Sequence, residues 1–275
     1  MFSARADLVV LHVIVKESDG VYVAGLPADA FTVLEDGRPQ AIQFFAAEDA
    51  PVTVGLVIDS SGSMYAARSL VAAAAAAFVE TSHPLDDIFA LAFNERTRAV
   101  LPPEAPFTGD AETIRAGLMK TIVPYGRTAL HDAVVAGLAY LQRGRYERKV
   151  LVLISDGGDN ASAAPFEEVE KQIQTSNAVI YTIAVVDPVA SGVNPRRLRR
   201  LAAASGGESF EPKRIGDVAA ALGDIARDIR SAYTIGYAPV RTGEDGRLRR
   251  LRVLARNGQR ALAVRTRQGY SLGEE

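Results

Sequence analysis

The chain of 275 residues contains no cysteine and no tryptophan, and it has only three methionines and three histidines. Without cysteine it can form neither disulfides nor zinc-thiolate sites, so cysteine usage does not indicate the redox compartment. An excess of charge of one sign is also lacking, because 31 basic residues face 33 acidic ones and the formal net charge is -2. This balance argues against nucleic acid and against a membrane surface as the partner.

Long hydrophobic runs are absent as well. The longest apolar stretches, residues 8–15 and 71–79, fall well short of the roughly 18 residues that a membrane-spanning helix needs. We therefore expect no transmembrane segment. Residues 1–6 lack the basic start and apolar stretch of a signal peptide, so we expect that any export signal was removed or never existed. With 48% hydrophobic residues, the chain can bury a full core and is predicted to form one large domain plus a smaller unit.

Dipeptides typical of β-hairpins occur in both flanks of the chain. Each of four pairs separates two strand-like runs: Asp19-Gly20, Asp36-Gly37, Asp245-Gly246 and Asn257-Gly258. Strands are predicted at 7–15, 21–24, 31–34 and 41–45, and again at 233–237, 248–255 and 261–265. Because either flank alone would form only a marginal sheet, we expect the two flanks to pair into one antiparallel β-sandwich.

The residues between the flanks follow a different pattern, in which short β-branched runs alternate with helical stretches. This alternation is typical of a mostly parallel sheet with helices on both faces. Strands are predicted at 52–58, 88–94, 150–154 and 179–186, with 98–101 returning antiparallel at the edge, and helices at 65–80, 111–120, 130–142, 165–176, 195–204 and 217–230. The predicted fold class is therefore α/β, with residues 51–230 inserted between two sandwich halves, residues 1–50 and 231–275.

Oxygen-bearing side chains lie where two of the central strands are predicted to end. Asp59-x-Ser61-x-Ser63 follows the first of these strands, Asp156 follows the strand at 150–154, and Thr128 precedes a predicted helix. Because ligands of such sheets bind at the carboxyl ends of the strands, we expect the three segments to converge on one ion. Carboxylate and hydroxyl oxygens suit Mg²⁺, with Mn²⁺ or Ca²⁺ as alternatives, rather than zinc. The competing interpretation is that these residues only form turns and cap helices.

The charge of such a site would favour a further anion. Two carboxylates neutralise one divalent cation, whereas three hydroxyls add only neutral dipoles. An open coordination position would then suit a carboxylate of a partner protein.

In their order and strand context, Asp59, Ser61, Ser63, Thr128 and Asp156 resemble the metal-ion-dependent adhesion site of von Willebrand factor A domains. Residues 25–27, 31–37, 128–133 and 233–237 resemble bacterial proteins related to this family, so the resemblance covers nearly the whole chain. It implies a Rossmann-like domain in which Ser61 and Ser63 ligate the metal directly and Thr128 does so directly or through water. Asp59 and Asp156 would ligate the metal directly or through water, depending on the state of the site. It also implies protein binding through the ion, commonly by an acidic residue of the partner, and location outside the cytoplasm.

Three classes of function remain open at this point. The leading hypothesis is a non-enzymatic, cation-dependent protein-binding module of the adhesion type. A metal-dependent hydrolase or phosphatase is the main alternative, since Mg²⁺ can polarise a phosphoryl oxygen or activate water. However, no histidine adjoins Ser61 or Ser63, and no Gly-rich phosphate loop with its lysine is present. The third class, an accessory subunit of an ATPase complex, rests on the resemblance.

Other polar residues are predicted to have structural roles. His12 and His83 are expected in a strand and a turn, and His131 on a helix surface. Asp86-Asp87 precedes a strand, so we expect turn or capping chemistry at the opposite end of the sheet from Asp59. Asp159 and Asn160 are expected to line the rim of the site or to support its ligands by a contact, and to form a turn rather than to bind the ion. The arginines between residues 247 and 256 are expected to lie on a solvated strand face, because they lack interleaved aromatics.

Overall fold

The central strands are buried on both faces, as expected of strands that helices cover on both sides. The computed structural model describes residues 8–47, 50–123, 125–185, 193–239 and 247–271. Every residue is buried in the four strands Thr53–Asp59, Asp87–Phe93, Lys149–Ser155 and Ala178–Ala184. The predicted parallel sheet is therefore formed by these strands, within one or two residues of the predicted bounds.

The elements of the described residues are named here in chain order. The strands are β1 Val9–Lys16, β2 Phe31–Glu35, β3 Arg38–Gln40, β4 Phe44–Ala46, β5 Thr53–Asp59, β6 Asp87–Phe93, β7 Thr97–Ala99, β8 Lys149–Ser155, β9 Ala178–Ala184, β10 Ser209–Phe210, β11 Tyr233–Tyr237, β12 Leu248–Asn257, β13 Arg260–Ala261, β14 Ala263–Arg265 and β15 Gly269–Ser271. The helices are α1 Arg68–Glu80, α2 Ala111–Thr121, α3 Leu130–Leu141, α4 Phe166–Thr175, α5 Pro195–Ser205 and α6 Val218–Arg230, with 3-10 turns at Ala28–Ala30, Gly62–Ala67 and Ile215–Asp217.

The central sheet has the strand order β10-β9-β8-β5-β6-β7, and only β7 runs antiparallel, at the edge, as predicted. Strands β5 and β8 are parallel neighbours with Ile58 opposite Ile154, so their carboxyl ends meet. One face packs on α1, α2 and α6 through residues such as Leu56, and the other packs on α3, α4 and α5 through residues such as Leu153. The sheet therefore presents the ends of β5 and β8 side by side between two helical layers.

Strands from both flanks combine in two antiparallel sheets, β14-β1-β11-β4 and β13-β12-β2-β3, with β15 also paired to β12. The two sheets share a core that includes Leu11, Val33, Tyr233 and Val253. The predicted sandwich, built from both ends of the chain around an inserted α/β unit, is confirmed. The limits at residues 50 and 230 stay a prediction.

Short or irregular strands differ from the prediction. Residues 21–24 form only an isolated bridge, Lys16 to Tyr22. Strands β3, β10 and β15 were not predicted, because two or three residues are too few to show a period of two. The predicted strand residues Asp7 and Val186 and the Asp245-Gly246 pair lie outside the described residues.

A buried carboxylate of α6 holds the α/β unit against the sandwich. Asp228 is 1% exposed, accepts a hydrogen bond of 2.6 Å from the Tyr22 hydroxyl, and pairs with Arg265 of β14. Lys16 of β1 lies 3.6 Å away. Burial, followed by the hydrogen bond to Asp228, raises the pKa of Tyr22, so this phenol stays protonated and donates. The last helix is therefore tied to strands of the sandwich.

A second buried carboxylate lies inside the sandwich. Glu35 accepts hydrogen bonds from the hydroxyls of Tyr237 at 2.6 Å and Tyr270 at 2.8 Å, and pairs with Arg249 at 2.9 Å. The prediction of a solvated face is wrong for Arg249, which is buried because it points inward from the alternating strand β12. Arg250, Arg252 and Arg256 are exposed, as predicted.

One helical run, Gly62–Glu80, is long and apolar enough to span a membrane by length and composition alone. Half of it is buried in the fold, and alanines of α1 pack it closely against the sheet. This run therefore packs as a core helix of the α/β unit.

Candidate metal centre

Asp59 ends β5 and is 1% exposed at the carboxyl edge of the central sheet. Its Oδ1 accepts a hydrogen bond of 2.8 Å from the N–H of Ser61, and its Oδ2 accepts one of 2.7 Å from the Ser155 hydroxyl. The pKa of Asp59 is raised to about 6, chiefly by burial and to a small extent by the charge of Asp156, although the hydrogen bonds from Ser61 and Ser155 oppose the rise. Among the described residues no cationic side chain pairs with Asp59, so the buried carboxylate lacks a positive counter-charge.

The two serine hydroxyls face each other across the loop after β5. Ser61 Oγ and Ser63 Oγ are 3.1 Å apart, with Ser61 buried and Ser63 half-buried. Ser61 stands at the first position before the 3-10 turn, yet its side chain makes no capping hydrogen bond. The structure therefore does not support the alternative in which the Ser61 side chain caps the helix.

Thr128 is buried before α3 and is fixed through its backbone. Its N–H donates to Asn160 Oδ1 at 2.9 Å, and its carbonyl accepts from the N–H groups of Asn160 and Ala161. The N–H of Tyr125, in the same loop, donates to the carbonyl of Ser60 at 3.2 Å. The Thr128 loop is thus joined both to the loop after β5 and to the loop after β8.

The Thr128 hydroxyl is not used to cap α3. Asp159 Oδ1 accepts from the N–H of Leu130 at 2.9 Å and contacts the N–H of His131 at 3.4 Å. Asp159, predicted at the rim as a turn or a supporting contact, therefore has a capping role that the prediction did not include, because its side chain satisfies the helix N-terminus.

Asp156 lies directly after β8 and is 4% exposed. Its Oδ1 accepts a hydrogen bond of 2.8 Å from the N–H of Gly158. This bond closes a tight turn, as the alternative of a plain turn at Asp156-Gly157 also expects. Gly157 has φ +80°, and a Cβ there would lie 2.3 Å from the carbonyl oxygen of Asn194. Only glycine fits this position without strain, so the turn that presents Asp156 is closely specified.

The five predicted residues thus lie on three loops that contact one another at one edge of the sheet. No group of three or more His, Asp and Glu side chains suited to a metal ion occurs within the described ranges. The donors gathered here are two carboxylates and three hydroxyls, which fit a hard divalent cation in their chemistry.

Sequence reasoning missed Ser155, placed Asn160 at the rim of the site without its contact to Thr128, and misplaced His131. Ser155, which orients Asp59, and Asn160, which holds Thr128, can be found only once the ends of β5 and β8 and the two loops are aligned in space. His131 was predicted on the surface but is 5% exposed, with Nδ1 2.9 Å from the Ala164 carbonyl oxygen, because the loop after β8 covers the start of α3.

The acidic pair at the start of β6 has the predicted structural role. Asp86 accepts from the N–H of Val52 at 2.9 Å and pairs with Arg230, and Asp87 pairs with Arg145. Because β6 runs parallel to β5, this pair lies at the opposite end of the sheet from Asp59.

The pKa of Asp59 makes the stability of the metal-free protein depend on pH. A carboxyl whose folded pKa is about 6, against an ordinary 3.8, stabilises the fold fully below 3.8 and loses this contribution as pH rises through 6. The shift corresponds to about 3 kcal/mol. In EDTA, the free energy of unfolding of Asp59→Asn should therefore rise by about 3 kcal/mol relative to that of the wild type as the pH is raised from 4 to 7. Urea unfolding of the two proteins measures this difference. An unchanged difference between the two proteins would contradict this prediction.

Comparison with known proteins shows which family and which solved structures this chain is similar to. Residues 54–158 match the family model of the von Willebrand factor type A domain. A protein described as von Willebrand factor type A from Catenulispora acidiphila is 13% identical, with 100% of this chain and 76% of that chain covered and a TM-score of 0.56. No curated protein sequence matches this chain.

Two further solved structures share the fold. The vWF domain of the type V pili tip protein Mfa5 from Porphyromonas gingivalis is 16% identical, with 67% of this chain and 96% of that chain covered and a TM-score of 0.54. Proximal thread matrix protein 1 from the mussel byssus was solved with zinc in its metal-ion-dependent adhesion site (MIDAS) motif. It is also 16% identical, with 72% of this chain and 50% of that chain covered and a TM-score of 0.57. These identities indicate the fold alone. The family-model match spans all five candidate residues, so residues 54–158 of the α/β unit are similar to the von Willebrand factor type A domain.

Proposed function

We propose that this chain binds protein partners through a divalent cation held by Asp59, Ser61, Ser63, Thr128 and Asp156, and that the partner supplies an Asp or Glu carboxylate. The observation that carries the proposal is the buried Asp59 carboxylate, which has a raised pKa and no cationic partner among the described residues. A bound cation supplies the missing positive charge and attracts a further carboxylate. Mg²⁺ is the proposed ion, with Mn²⁺ or Ca²⁺ as alternatives.

The residues of the chain have distinct roles in this proposal. Ser155 holds one oxygen of Asp59, and the Ser61 N–H holds the other, so the carboxylate cannot rotate freely. The hydroxyls of Ser61 and Ser63 offer lone pairs to the same small volume. Asn160 fixes the position of Thr128. The site is thus largely arranged before a ligand arrives, which reduces the entropy lost on binding.

Exposed aromatic side chains support a protein as the partner. Tyr65, two positions after Ser63, is 76% exposed, and Tyr125, whose N–H contacts Ser60, is 55% exposed. Val123 is 52% exposed in the same loop as Tyr125. Aromatic residues are enriched where proteins meet. A surface with apolar side chains beside a carboxylate-binding centre suits an acidic residue flanked by apolar ones.

We also propose that the protein is not an enzyme and that it acts outside the cytoplasm. Within the described residues no histidine is hydrogen-bonded to Ser61 or Ser63, so neither serine has the base that a nucleophile requires. The fold that this chain shares with the pilus-tip domain supports an adhesion-type role outside the cytoplasm.

Thermal unfolding in a Mg²⁺ titration tests the metal requirement. The EDTA-treated wild type should gain about 2.7 kcal/mol in unfolding free energy when Mg²⁺ reaches about 100 times its dissociation constant. Asp59→Ala should show no gain, whereas Asp224→Ala, which removes an exposed carboxylate on α6, should respond like the wild type. Equal responses in the wild type and Asp59→Ala would contradict the proposal.

A further inference from the structure

A groove of about 990 Å³ runs between the α4–α5 side of the α/β unit and strand β12 of the sandwich. Six arginines line it, and the only acidic residue among the described residues that line it is Glu170. This is a strong local excess of positive charge in a chain whose net charge is -2. The groove lies on helices and strands away from the loops of the candidate metal centre.

Three of these arginines have no ion-pair partner within the described residues. Arg200 pairs with Glu170 at 2.5 Å, and Arg265 pairs with Asp228. In contrast, the side chains of Arg250, Arg252 and Arg256 are exposed and unpaired, although Asp36 accepts a hydrogen bond from the backbone N–H of Arg250. Because they stand at even spacings along β12, all three project from the same face of the strand.

The floor of the groove also contains polar atoms without partners. Arg267 is 5% exposed, and although its NH2 group donates to the Gln174 carbonyl at 2.8 Å, its Nε is buried without an acceptor among the described residues. The hydroxyl oxygen of Thr266 is likewise buried and unsatisfied there. Burial lowers the pKa of Arg267 to about 10, which reflects a guanidinium with little compensating negative charge. An anion in the groove would reduce this deficit.

We propose that this groove binds an extended acidic segment of a protein partner. Arg250 and Arg252 stand on alternate residues, roughly 6.5–7 Å apart, and Arg256 follows at about twice that distance, so the three match side chains on one face of an extended peptide. Leu254, which stands between Arg252 and Arg256 on β12, lines the groove together with Leu262 and Val264, and these apolar side chains give the other residues of a peptide a surface to contact. No aromatic residue lines the groove, so the stacking that single-stranded nucleic acid uses is absent from the described lining.

Fluorescence anisotropy with a labelled twelve-residue peptide that alternates glutamate with serine tests the proposal. The titration is done at low ionic strength in EDTA, so that the candidate metal centre cannot bind the carboxylates. The triple variant Arg250→Gln, Arg252→Gln, Arg256→Gln should bind at least about tenfold more weakly than the wild type. The matched triple variant Arg38→Gln, Arg98→Gln, Arg115→Gln changes the net charge equally and should bind like the wild type, as should Asp59→Ala.

Several results would overturn the proposal, independently of the fate of the metal centre. The first is that the wild type does not bind the acidic peptide. The second is that both triple variants lose the same amount of peptide affinity. The third is that a glutamine–serine peptide binds the wild type as tightly as the glutamate–serine peptide. Tighter binding of a twelve-nucleotide oligothymidine than of the acidic peptide would show a nucleic-acid site instead. Circular dichroism melting of both triple variants checks that they fold, which is expected because five of the six substituted residues are exposed and Arg98 is half-buried.

Discussion

Replacement of Asp228 by alanine is expected to lower the free energy of unfolding by about 3–5 kcal/mol, because it removes a buried carboxylate and leaves a largely buried guanidinium without this counter-charge. Arg265, whose side chain is 25% exposed, would lose this partner and keep Glu208 at 3.5 Å and the Gly206 carbonyl oxygen at 3.2 Å. The Tyr22 hydroxyl, whose pKa burial and Asp228 raise, would lose its acceptor. Urea unfolding at neutral pH measures the loss.

Asp224→Ala is the matched control for this prediction, since Asp224 lies one turn earlier on the same helix. It pairs with Arg227 at the surface, and both side chains are well exposed. Such a pair contributes at most about 1 kcal/mol. If Asp224→Ala and Asp228→Ala destabilise equally, the buried cluster does not join α6 to the sandwich in the way described.

Replacement of Glu35 by alanine should also remove about 3–5 kcal/mol, since it disrupts a buried charged network. The variant leaves the hydroxyls of Tyr237 and Tyr270 without their shared acceptor, and Arg249 without its carboxylate. Burial and the hydrogen bond to Glu35 raise the pKa of Tyr237, and burial raises that of Tyr270 to about 12. Both phenols therefore donate to Glu35 at neutral pH.

Glu211→Ala provides the comparison for Glu35, because Glu211 pairs with Arg199 at the surface. Its loss should change the free energy of unfolding by less than about 1 kcal/mol. Thermal and urea unfolding of both variants distinguish the two cases. A Glu35→Ala protein as stable as Glu211→Ala would mean that the network inside the sandwich contributes little.

The sequence predicted the part of the fold that depends on local pattern. Buried strands such as β5 are continuous apolar runs, and the Asp-Gly and Asn-Gly pairs mark hairpins, so the strands and their class follow from short stretches of chain. The candidate site was predictable for the same reason. Asp59 is the last residue of β5 and Asp156 follows β8 directly, and parallel neighbouring strands end at one edge of the sheet.

Contacts between distant residues were not predictable in this way. Tyr22 and Asp228 are 206 positions apart, and Glu35 and Tyr270 are 235 apart, so neither network leaves a local signal. Arg249 looks like one more charge on a basic strand until its partner Glu35 is placed behind it. His131 looks like a surface residue of α3 until the loop after β8 is seen to cover it.

Direct binding of Mn²⁺, followed by the loss of the free-ion electron paramagnetic resonance signal, tests the central claim most simply. The account predicts that the wild type binds one Mn²⁺ per chain, that Mg²⁺ displaces it, and that neither Asp59→Ala nor the double variant Ser61→Ala, Ser63→Ala binds it, whereas Asp224→Ala does. Undiminished Mn²⁺ binding by Asp59→Ala, or no binding by the wild type, would contradict a cation site formed by these loops.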